Sequence, residues 1–317
     1  MGRSGKPGDG LCRTSGTEWA MAEELASKVG PSQIDVAFER LGDPRRPPVL
    51  LMMGAAGQLI DWPDGLCAEL VERGLHVIRF DSRDTGRSSY IAGGPAPDIA
   101  AAMSGDVSSA AYTLSDMAAD TVGLLDVLGL DSAHLVGASQ GAMIAQTIAI
   151  EFPSRARSLT SMMSTTGNPE VGHSDPAAFG RAGAPPTERA DYIAWRVAAN
   201  RAVGASAFAF DEDAAIERAG RGFDRGFSAE AMMRQFVAVL ASGDRTAQLK
   251  SVHVPTVVIH GTEDRAFDLS GGRATAEAIP GAELVVVEGM GHSMSRELWP
   301  TLAEHIAGLV HRVERDR

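Results

Sequence analysis

The sequence predicts an α/β protein with a mostly parallel central sheet, and two observations carry that prediction. Short, continuously apolar runs such as PPVLLMMG and PTVVIHG alternate along the chain with amphipathic segments of helical spacing. Strands that are apolar on both faces are typical of parallel sheets covered by helices on both sides. With 317 residues and 44% hydrophobic composition, the chain can form one large domain of this class, which we place at residues 31–317.

The first half of the chain supplies most of the predicted strands. The segment IDVAFERLGD alternates like an exposed or edge strand, and PPVLLMMG is predicted as a buried strand. WPDGLCAELVERG has helical spacing, and the strand LHVIRFD follows it. The next helix, LSDMAADTVGLLDVLGL, has Ser115 as its predicted N-cap and Gly129 as its stop signal. The strand SAHLVGAS, a further helix and the strand ARSLTSMMST complete this half.

The strand pattern stops between about residues 168 and 245 and then resumes. Helical patterns fill the interruption at RADYIAWRVAANRAV, DEDAAIERAG and SAEAMMRQFVAVLA. Beyond it come the strand PTVVIHG, a helix near GGRATAEAI, the strand AELVVVEG and a closing helix. An insertion between strands of one sheet predicts a helical lid, or cap, over the carboxyl edge, where ligands of open α/β sheets bind. Its apolar side chains either pack on the core or face a pocket: Trp195, Phe208, Phe210, Met232, Met233 and Phe236.

The N-terminal stretch MGRSGKPGDGLCRTSGTEWA is rich in glycine, serine and charge. It lacks the apolar segment of a signal peptide, and we expect residues 1–30 to be a disordered extension. Met21 is an alternative to Met1 as the natural start. No window approaches the roughly 18 consecutive apolar residues of a membrane span, so we expect no span and a cytoplasmic protein.

Composition narrows the classes of function. The net charge of −12 argues against nucleic-acid binding, because phosphate contacts need a basic face. The two cysteines, Cys12 and Cys67, form neither a disulfide framework nor a zinc motif. The sequence contains no metal-ligand cluster and no dinucleotide fingerprint, so we expect no cofactor.

A serine between two glycines, in Gly137-Ala138-Ser139-Gln140-Gly141, follows one of the buried strands and precedes a helix. This G-x-S-x-G pattern is typical of a nucleophile elbow, a strained turn that presents a serine hydroxyl at the sheet edge. A simple tight turn is the alternative, because glycine is common wherever a chain bends sharply.

Two later strand ends provide the partners that an activated serine needs. Asp264 follows VVIHG, and His292 follows LVVVEGMG, so both residues should lie at the same sheet edge as Ser139. The order Ser, Asp, His is that of the α/β-hydrolases. Glu263 and Asp268 remain alternatives for the acid. The other histidines lie in or beside strands, on the last helix or in loops, where they fit less well as the base: His76, His134, His173, His253, His260, His305 and His311.

An oxyanion hole requires two backbone N–H groups directed at the developing negative charge. The residue after the nucleophile, Gln140, supplies one of them at the N-terminus of its helix. The loop after PPVLLMMG contains the small residues Gly54, Ala55, Ala56 and Gly57, which allow close approach to a ligand, and we predict Ala55 as the second donor.

From about Ser32 onward the chain resembles the α/β-hydrolase superfamily, in particular the bacterial serine esterase branch that includes aclacinomycin methylesterase and related lipases and esterases. The segments that carry the resemblance are LLMMGAAGQLIDWPDGL, GLHVIRFDSRDTGRSS, HLVGASQGAMIAQ, PTVVIHGTED and GMGHSM. By resemblance, Ser139, Asp264 and His292 match the catalytic triad, and Ala55 and Gln140 match the oxyanion donors. The loop FDSRDTGRSS would brace the site through Arg83, Asp84 and Arg87. Relatives often have proline where this chain has Arg265.

These observations together predict a serine hydrolase that cleaves a carboxylic ester of a small molecule through an acyl-enzyme intermediate. The same triad also hydrolyses carbon–carbon bonds, thioesters and lactones, and the fold also serves as a small-molecule receptor with slow turnover. The sequence names neither the acyl nor the alcohol group, and it leaves the oligomeric state open.

Overall fold

The structure is a computed structural model that describes residues 22–179 and 185–317. Its eight strands are β1 (Glu24–Val29), β2 (Ile34–Leu41), β3 (Pro48–Met52), β4 (His76–Phe80), β5 (Ala133–Ala138), β6 (Ala156–Met162), β7 (Thr256–Gly261) and β8 (Glu283–Val287). They form one sheet in the order β1-β2-β4-β3-β5-β6-β7-β8. Strands β3 to β8 are mutually parallel, whereas β1 with β2 and β2 with β4 pair antiparallel. The predicted α/β class is confirmed.

Helices connect the strands and cover both faces of the sheet. In chain order they are α1 (Asp64–Glu72), α2 (Ile99–Met103), α3 (Leu114–Val127), α4 (Gln140–Glu151), α5 (Pro176–Phe179), α6 (Arg189–Val203), α7 (Glu212–Arg225), α8 (Ala229–Ser242), α9 (Thr246–Leu249), α10 (Leu269–Ala278) and α11 (Trp299–Arg315). Side chains of α3 and α4 form one apolar cluster with the sheet, and side chains of α1 and α11 form a second. The central strands lie between the two clusters, which explains their apolar sequences.

The second strand differs from its prediction because β2 is internal, between β1 and β4. Its alternating pattern contains Glu39, which is buried and accepts a hydrogen bond of 2.8 Å from Arg79 Nε on β4. The two residues are direct partners in the antiparallel ladder, so the charges compensate each other inside the sheet. Glu39, the polar residue that suggested an exposed strand, is therefore one partner of a buried ion pair.

The prediction of a disordered extension over residues 1–30 is wrong for residues 24–29. Residues Glu24–Val29 form β1, because Ala26 and Val29 bury their side chains while the backbone pairs with β2. The rest of that prediction, including Cys12 and the alternative start at Met21, falls on residues 1–21, which lie outside the described residues. Within 22–179 and 185–317, no helix is long and apolar enough to cross a membrane.

The N-cap of α3 is Thr113 and not Ser115. Thr113 and Asp116 form a reciprocal capping box, with Asp116 Oδ2 accepting from Thr113 N at 2.8 Å. Ser115 instead donates to Glu151 at 2.6 Å. Gly129, the predicted stop signal, follows the end of the helix with φ 69°.

Helices α5 to α8 lie between β6 and β7 in the chain, at the predicted interruption, and we call them the lid. Helices α6 and α7 pack against each other through Tyr192, whose ring lies 5.3 Å from Phe223 and 4.3 Å from Phe227. Helix α8 packs separately, against α2 and α3. The lid therefore has two parts with different neighbours.

Candidate active site

Ser139 lies in the turn between β5 and α4, with φ 55° and ψ −123°. This backbone conformation is unfavourable for a residue with a side chain and persists only where the surroundings enforce it. The two flanking glycines allow the turn: a Cβ on Gly137 would lie 2.3 Å from Gly141 O, and one on Gly141 would lie 2.0 Å from Met52 O. Ser139 is only half-buried although Ala138 and Gln140 are buried, so the turn presents its side chain.

Asp264 and His292 meet as an acid–base pair. Asp264 Oδ2 lies 2.8 Å from His292 Nδ1, and the Asp264 side chain is fully buried. Asp264 Oδ1 also accepts hydrogen bonds from Ala266 N at 2.8 Å and Phe267 N at 2.9 Å. A carboxylate held by two backbone donors keeps one orientation, so it fixes the imidazole as well. A carboxylate oxygen accepts, so Nδ1 is the ring nitrogen that donates to Asp264, and Nε2 is the nitrogen left for a second partner.

A second histidine, which the sequence placed in a strand, also lies near this carboxylate. His260 Nε2 is 3.6 Å from Asp264 Oδ2 and 2.8 Å from Phe267 O. The carbonyl can only accept, so Nε2 is the protonated nitrogen of His260. Burial lowers the pKa of His260, which keeps it neutral, and its Nδ1 has no partner within the described residues. His260 therefore packs beside the acid as a neutral group.

The two alternative acids are engaged elsewhere. Glu263 Oε2 accepts from Ser206 N and from Ser206 Oγ, both at 2.8 Å, and these bonds lower the pKa of Glu263. Asp268 caps α10 by accepting from Ser270 N at 2.9 Å. Arg265, at the position where relatives often have proline, donates to Asp175 Oδ2 at 2.6 Å. Of the three carboxylates, Asp264 is the one that meets His292.

The loop that carries His292 lies under the lid segment after α6. His292 N donates to Val203 O at 2.8 Å, and a Cβ on Gly291 would lie 2.5 Å from Ala205 N. Ser139 Oγ and His292 form no direct hydrogen bond in the part of the chain that the structure describes. The structure thus pairs His292 with Asp264 and places Ser139 at the carboxyl end of a strand of the same parallel set.

The loop after β3 packs against the elbow. A Cβ on Gly54 would lie 2.9 Å from Ser139 Cβ and 3.3 Å from Ser139 Oγ, so only glycine permits this approach. The backbone N–H groups of Ala55 and Gln140 have no acceptor among residues 22–179 and 185–317. The neighbouring Ala56 N–H, in contrast, donates to Gln235 Oε1 at 2.6 Å. Two unengaged donors next to a presented serine are the components of an oxyanion site.

The loop after β4 is fixed by buried ion pairs, one of which joins it to α8. Asp84, with φ 63°, accepts two hydrogen bonds from Arg234 on α8, at 2.8 and 2.9 Å, and one from Tyr112 Oη at 2.8 Å. Arg83 Nε donates to Asp120 at 2.6 Å. Arg87 extends outward to Glu23 at 3.0 Å. Helical periodicity gave no signal for the role of Arg234, because a buried arginine looks like a solvent-facing one in sequence.

A second set of contacts joins α7 to the loop after β3. Gln58 Nε2 donates to Gly222 O at 2.7 Å, and Gln58 Oε1 accepts from Arg225 Nε at 2.8 Å. Arg225 also pairs with Asp81, whose Oδ1 accepts from Leu59 N at 2.7 Å. The sequence analysis missed all three polar side chains, since nothing local indicates that they meet.

A shallow cleft that is open to solvent lies between the loop after β3 and helices α6 and α7. Its lining is polar and includes Arg196, whose guanidinium lies 3.8 Å from Asp61, and Arg218, which forms no ion pair or hydrogen bond with any described residue. Ala56 forms its inner side. The cleft therefore adjoins the loop that carries the predicted oxyanion donor.

Comparison with known proteins gives matches over most of the chain. The family model described as the alpha/beta hydrolase fold matches residues 47–297. The chain is 29% identical over 294 residues to rhodomycin D methylesterase of Streptomyces peucetius, covering 86% of this chain and 94% of that protein. It is 27% identical, with the same coverage, to rhodomycin D methylesterase of Streptomyces sp. strain C5. The structure is similar to that of an enol-lactonase from Burkholderia xenovorans, with a TM-score of 0.71 and 21% identity, covering 91% of this chain and 100% of that one.

Proposed function

We propose that this chain, which belongs to the family of proteins with the α/β-hydrolase fold, hydrolyses a carboxylic ester of a small molecule through an acyl-enzyme intermediate. The observation that carries the proposal is the Asp264–His292 pair at the sheet edge where the elbow presents Ser139. Two relatives that share most of their length with this chain are named methylesterases, which supports an ester as the substrate class.

Ser139 is the nucleophile in this proposal. His292 Nε2 accepts the proton from Ser139 Oγ while Oγ forms a bond to the ester carbonyl carbon. Asp264 holds Nδ1–H and stabilises the imidazolium that results, without itself taking the proton. When the tetrahedral intermediate collapses, the carbon–oxygen bond to the alcohol breaks and His292 returns the proton to the leaving oxygen. The acyl group stays on Ser139.

The second half of the cycle uses the same groups. His292 takes a proton from a water molecule, and the hydroxide attacks the acyl carbonyl. The intermediate then releases the carboxylic acid, and the proton returns to Ser139 Oγ. In both halves the Ala55 and Gln140 N–H groups stabilise the negative carbonyl oxygen, and a preorganised donor of this kind typically contributes about 10²- to 10³-fold in rate.

The experiment that tests the proposal combines a substrate panel with a covalent probe. Purified protein should hydrolyse members of a panel of p-nitrophenyl esters, methyl esters, thioesters and lactones, with the esters turned over fastest. A fluorophosphonate should label one serine stoichiometrically, and peptide mapping should identify it as Ser139. Absence of turnover across the whole panel, or labelling at another serine, would contradict the proposal.

A further inference from the structure

One residue of the lid, Gln235, bonds to the loop after β3 through its side chain and to Gln140 through its backbone oxygen. Gln235 lies on α8 and is 1% exposed. Its Oε1 accepts from Ala56 N at 2.6 Å, next to Ala55, and its backbone oxygen accepts from Gln140 Nε2 at 3.0 Å. A single residue is thus bonded to the neighbour of one donor and to the side chain of the other.

The hydrogen-bond network fixes the orientation of the Gln235 amide. Ala56 N–H can only donate, so the atom facing it must be the amide oxygen. The amide nitrogen then donates to Arg83 O at 2.8 Å and to Thr85 Oγ1 at 2.7 Å. Both of its hydrogens are used, so a rotation of the amide by 180° would break three bonds at once. The side chain has one stable position.

The bond to Ala56 supports an unfavourable backbone conformation. Ala56 has φ 56°, which costs an alanine about 1–2 kcal/mol relative to the right-handed region. This turn is closed by Gly57 N donating to Gly54 O at 2.9 Å, and it sets the direction of the intervening Ala55 N–H. Without the Gln235 acceptor, the half-buried Ala56 N–H would lose this bond and the turn would be free to relax.

Helix α8 itself is held by other groups. Arg234, the preceding residue, forms two hydrogen bonds to Asp84, and Ser242 Oγ accepts from Leu114 N at 2.8 Å. Removal of the Gln235 amide therefore leaves the helix attached. The effect of such a change falls on the loop after β3 and not on the docking of the lid.

We propose that Gln235 is a positioning residue that orients the oxyanion hole, so that α8 is part of the catalytic machinery although it belongs to the lid. This inference rests on the proposed function, because it concerns where the Ala55 donor points during ester hydrolysis. Gln235 does not touch the substrate in this proposal. Its contribution appears in the transition state, when the carbonyl oxygen acquires charge, and hardly at all in ground-state binding.

The test compares Gln235→Leu with Gln146→Leu on two p-nitrophenyl esters of different acyl length. Gln146 is a matched control, since it is fully buried and hydrogen-bonded to Ser161 at 3.2 Å and to Arg245 at 3.2 Å, without contact to the loop after β3. We expect Gln235→Leu to lower kcat about 10- to 100-fold on both esters while KM changes less than about threefold. We expect Gln146→Leu to keep kcat within about threefold of the unmodified protein, even if both variants melt at a lower temperature.

A conservative variant and a transition-state mimic separate positioning from packing. Gln235→Glu, in the neutral form that burial favours, can accept from Ala56 N–H through its carbonyl oxygen and donate to Arg83 O through its hydroxyl, so it should retain a kcat at least about fivefold above that of Gln235→Leu. A boronic acid that forms a tetrahedral adduct on the serine should lose affinity in Gln235→Leu by the same factor as kcat/KM, whereas the affinity for the carboxylate product should be unchanged.

Two kinds of failure are distinguishable in this design. If Ser139→Ala hydrolyses the esters as fast as the unmodified protein, the proposed function is wrong. If Ser139→Ala is inactive but Gln235→Leu and Gln146→Leu have equal kcat, or if Gln235→Glu is as impaired as Gln235→Leu, the positioning role is wrong. Should Gln235→Leu fail to fold, the kcat of Gln235→Glu decides, because a loss of more than about tenfold in that variant contradicts the role of the acceptor.

Discussion

The two parts of the lid interact with the sheet edge in different ways. Helix α8 inserts buried polar side chains, Arg234 and Gln235, into the loops after β3 and β4. Helices α6 and α7 pack on each other through aromatic rings and leave a polar cleft above the loop after β3. Helix α8 is therefore bonded to the two loops, whereas α6 and α7 border an open polar cleft.

The largest predicted effect tests whether the reacting groups come from the sheet edge and not from the lid. Ser139→Ala should lower kcat by about 10⁴- to 10⁶-fold, because no other group replaces the nucleophile. Ligand binding, measured by isothermal titration with the carboxylic acid product, should be retained. Ser164→Ala is the matched control, since Ser164 Oγ donates to Ser139 O at 2.8 Å without being a nucleophile. If Ser139→Ala were as active as the unmodified protein, Ser139 would not be the nucleophile.

The second prediction contrasts two adjacent carboxylates, of which one faces the sheet edge and the other faces the lid. Asp264→Asn should cost roughly 10⁴-fold in kcat, because it favours the wrong tautomer of His292. Glu263→Gln should cost less than about tenfold, since Glu263 bonds to Ser206 of the lid segment and not to the base. The two variants should be assayed side by side on one ester. If kcat fell further in Glu263→Gln than in Asp264→Asn, Glu263 and not Asp264 would be the residue that orients His292.

The third prediction concerns the cleft under α6 and α7. Arg218 lines it without forming an ion pair to any described residue, so Arg218→Ala removes positive charge from the cleft alone. We expect the ratio of kcat/KM between negatively charged and neutral esters to fall by a few fold, on the order of 0.2–1 kcal/mol. Arg221→Ala, on the same helix but 3.8 Å from Glu217, should leave the ratio unchanged. If Arg218→Ala lowered kcat/KM equally on charged and neutral esters, α7 would have a supporting role like the one proposed for α8.

The smallest expected effect concerns the N-terminus, where Glu23, among the described residues, pairs with Arg225 of α7. Removal of residues 1–20 should leave kcat and the melting temperature within error, because the sheet begins at Glu24. Removal through Val29 should lower the melting temperature by several degrees, since it exposes the edge of β2 and breaks the Glu23–Arg225 pair. Differential scanning fluorimetry of both truncations gives the answer. A large decrease for the shorter truncation would show that residues before Glu24 dock on the domain.

Most of the sheet could be predicted from sequence because parallel strands covered by helices have continuous apolar runs. The runs around β3, β5 and β7 are of this kind, and α6 spans the predicted residues Arg189–Val203. The positions of Ser139, Asp264 and His292 after strands also followed from the sequence, since carboxyl ends of parallel strands meet at one edge. Their catalytic roles stay predictions until the variants are measured.

The errors at β1 and β2 share one physical cause, which is that local patterns do not reveal distant partners. The alternation in β2 suggested an exposed strand, because Glu39 has its compensating charge, Arg79, forty residues away. Strand β1 falls within the predicted extension, because its apolar pattern is weak and its pairing with β2 compensates for that.

What the sequence by itself determined is the fold class, the order of its elements and the set of side chains at the carboxyl edge, because each depends on hydrophobic periodicity or on residues next to strand ends. Only the tertiary structure decided that Asp264 and not Glu263 meets His292, and that Gln235 bonds to Ala56 across 179 positions of the chain. On an amphipathic helix, the sequence alone does not distinguish a buried glutamine from a solvent-exposed one. Its role depends on whether the fold brings an unsatisfied backbone N–H to it, and a buried donor must find an acceptor wherever the chain provides one.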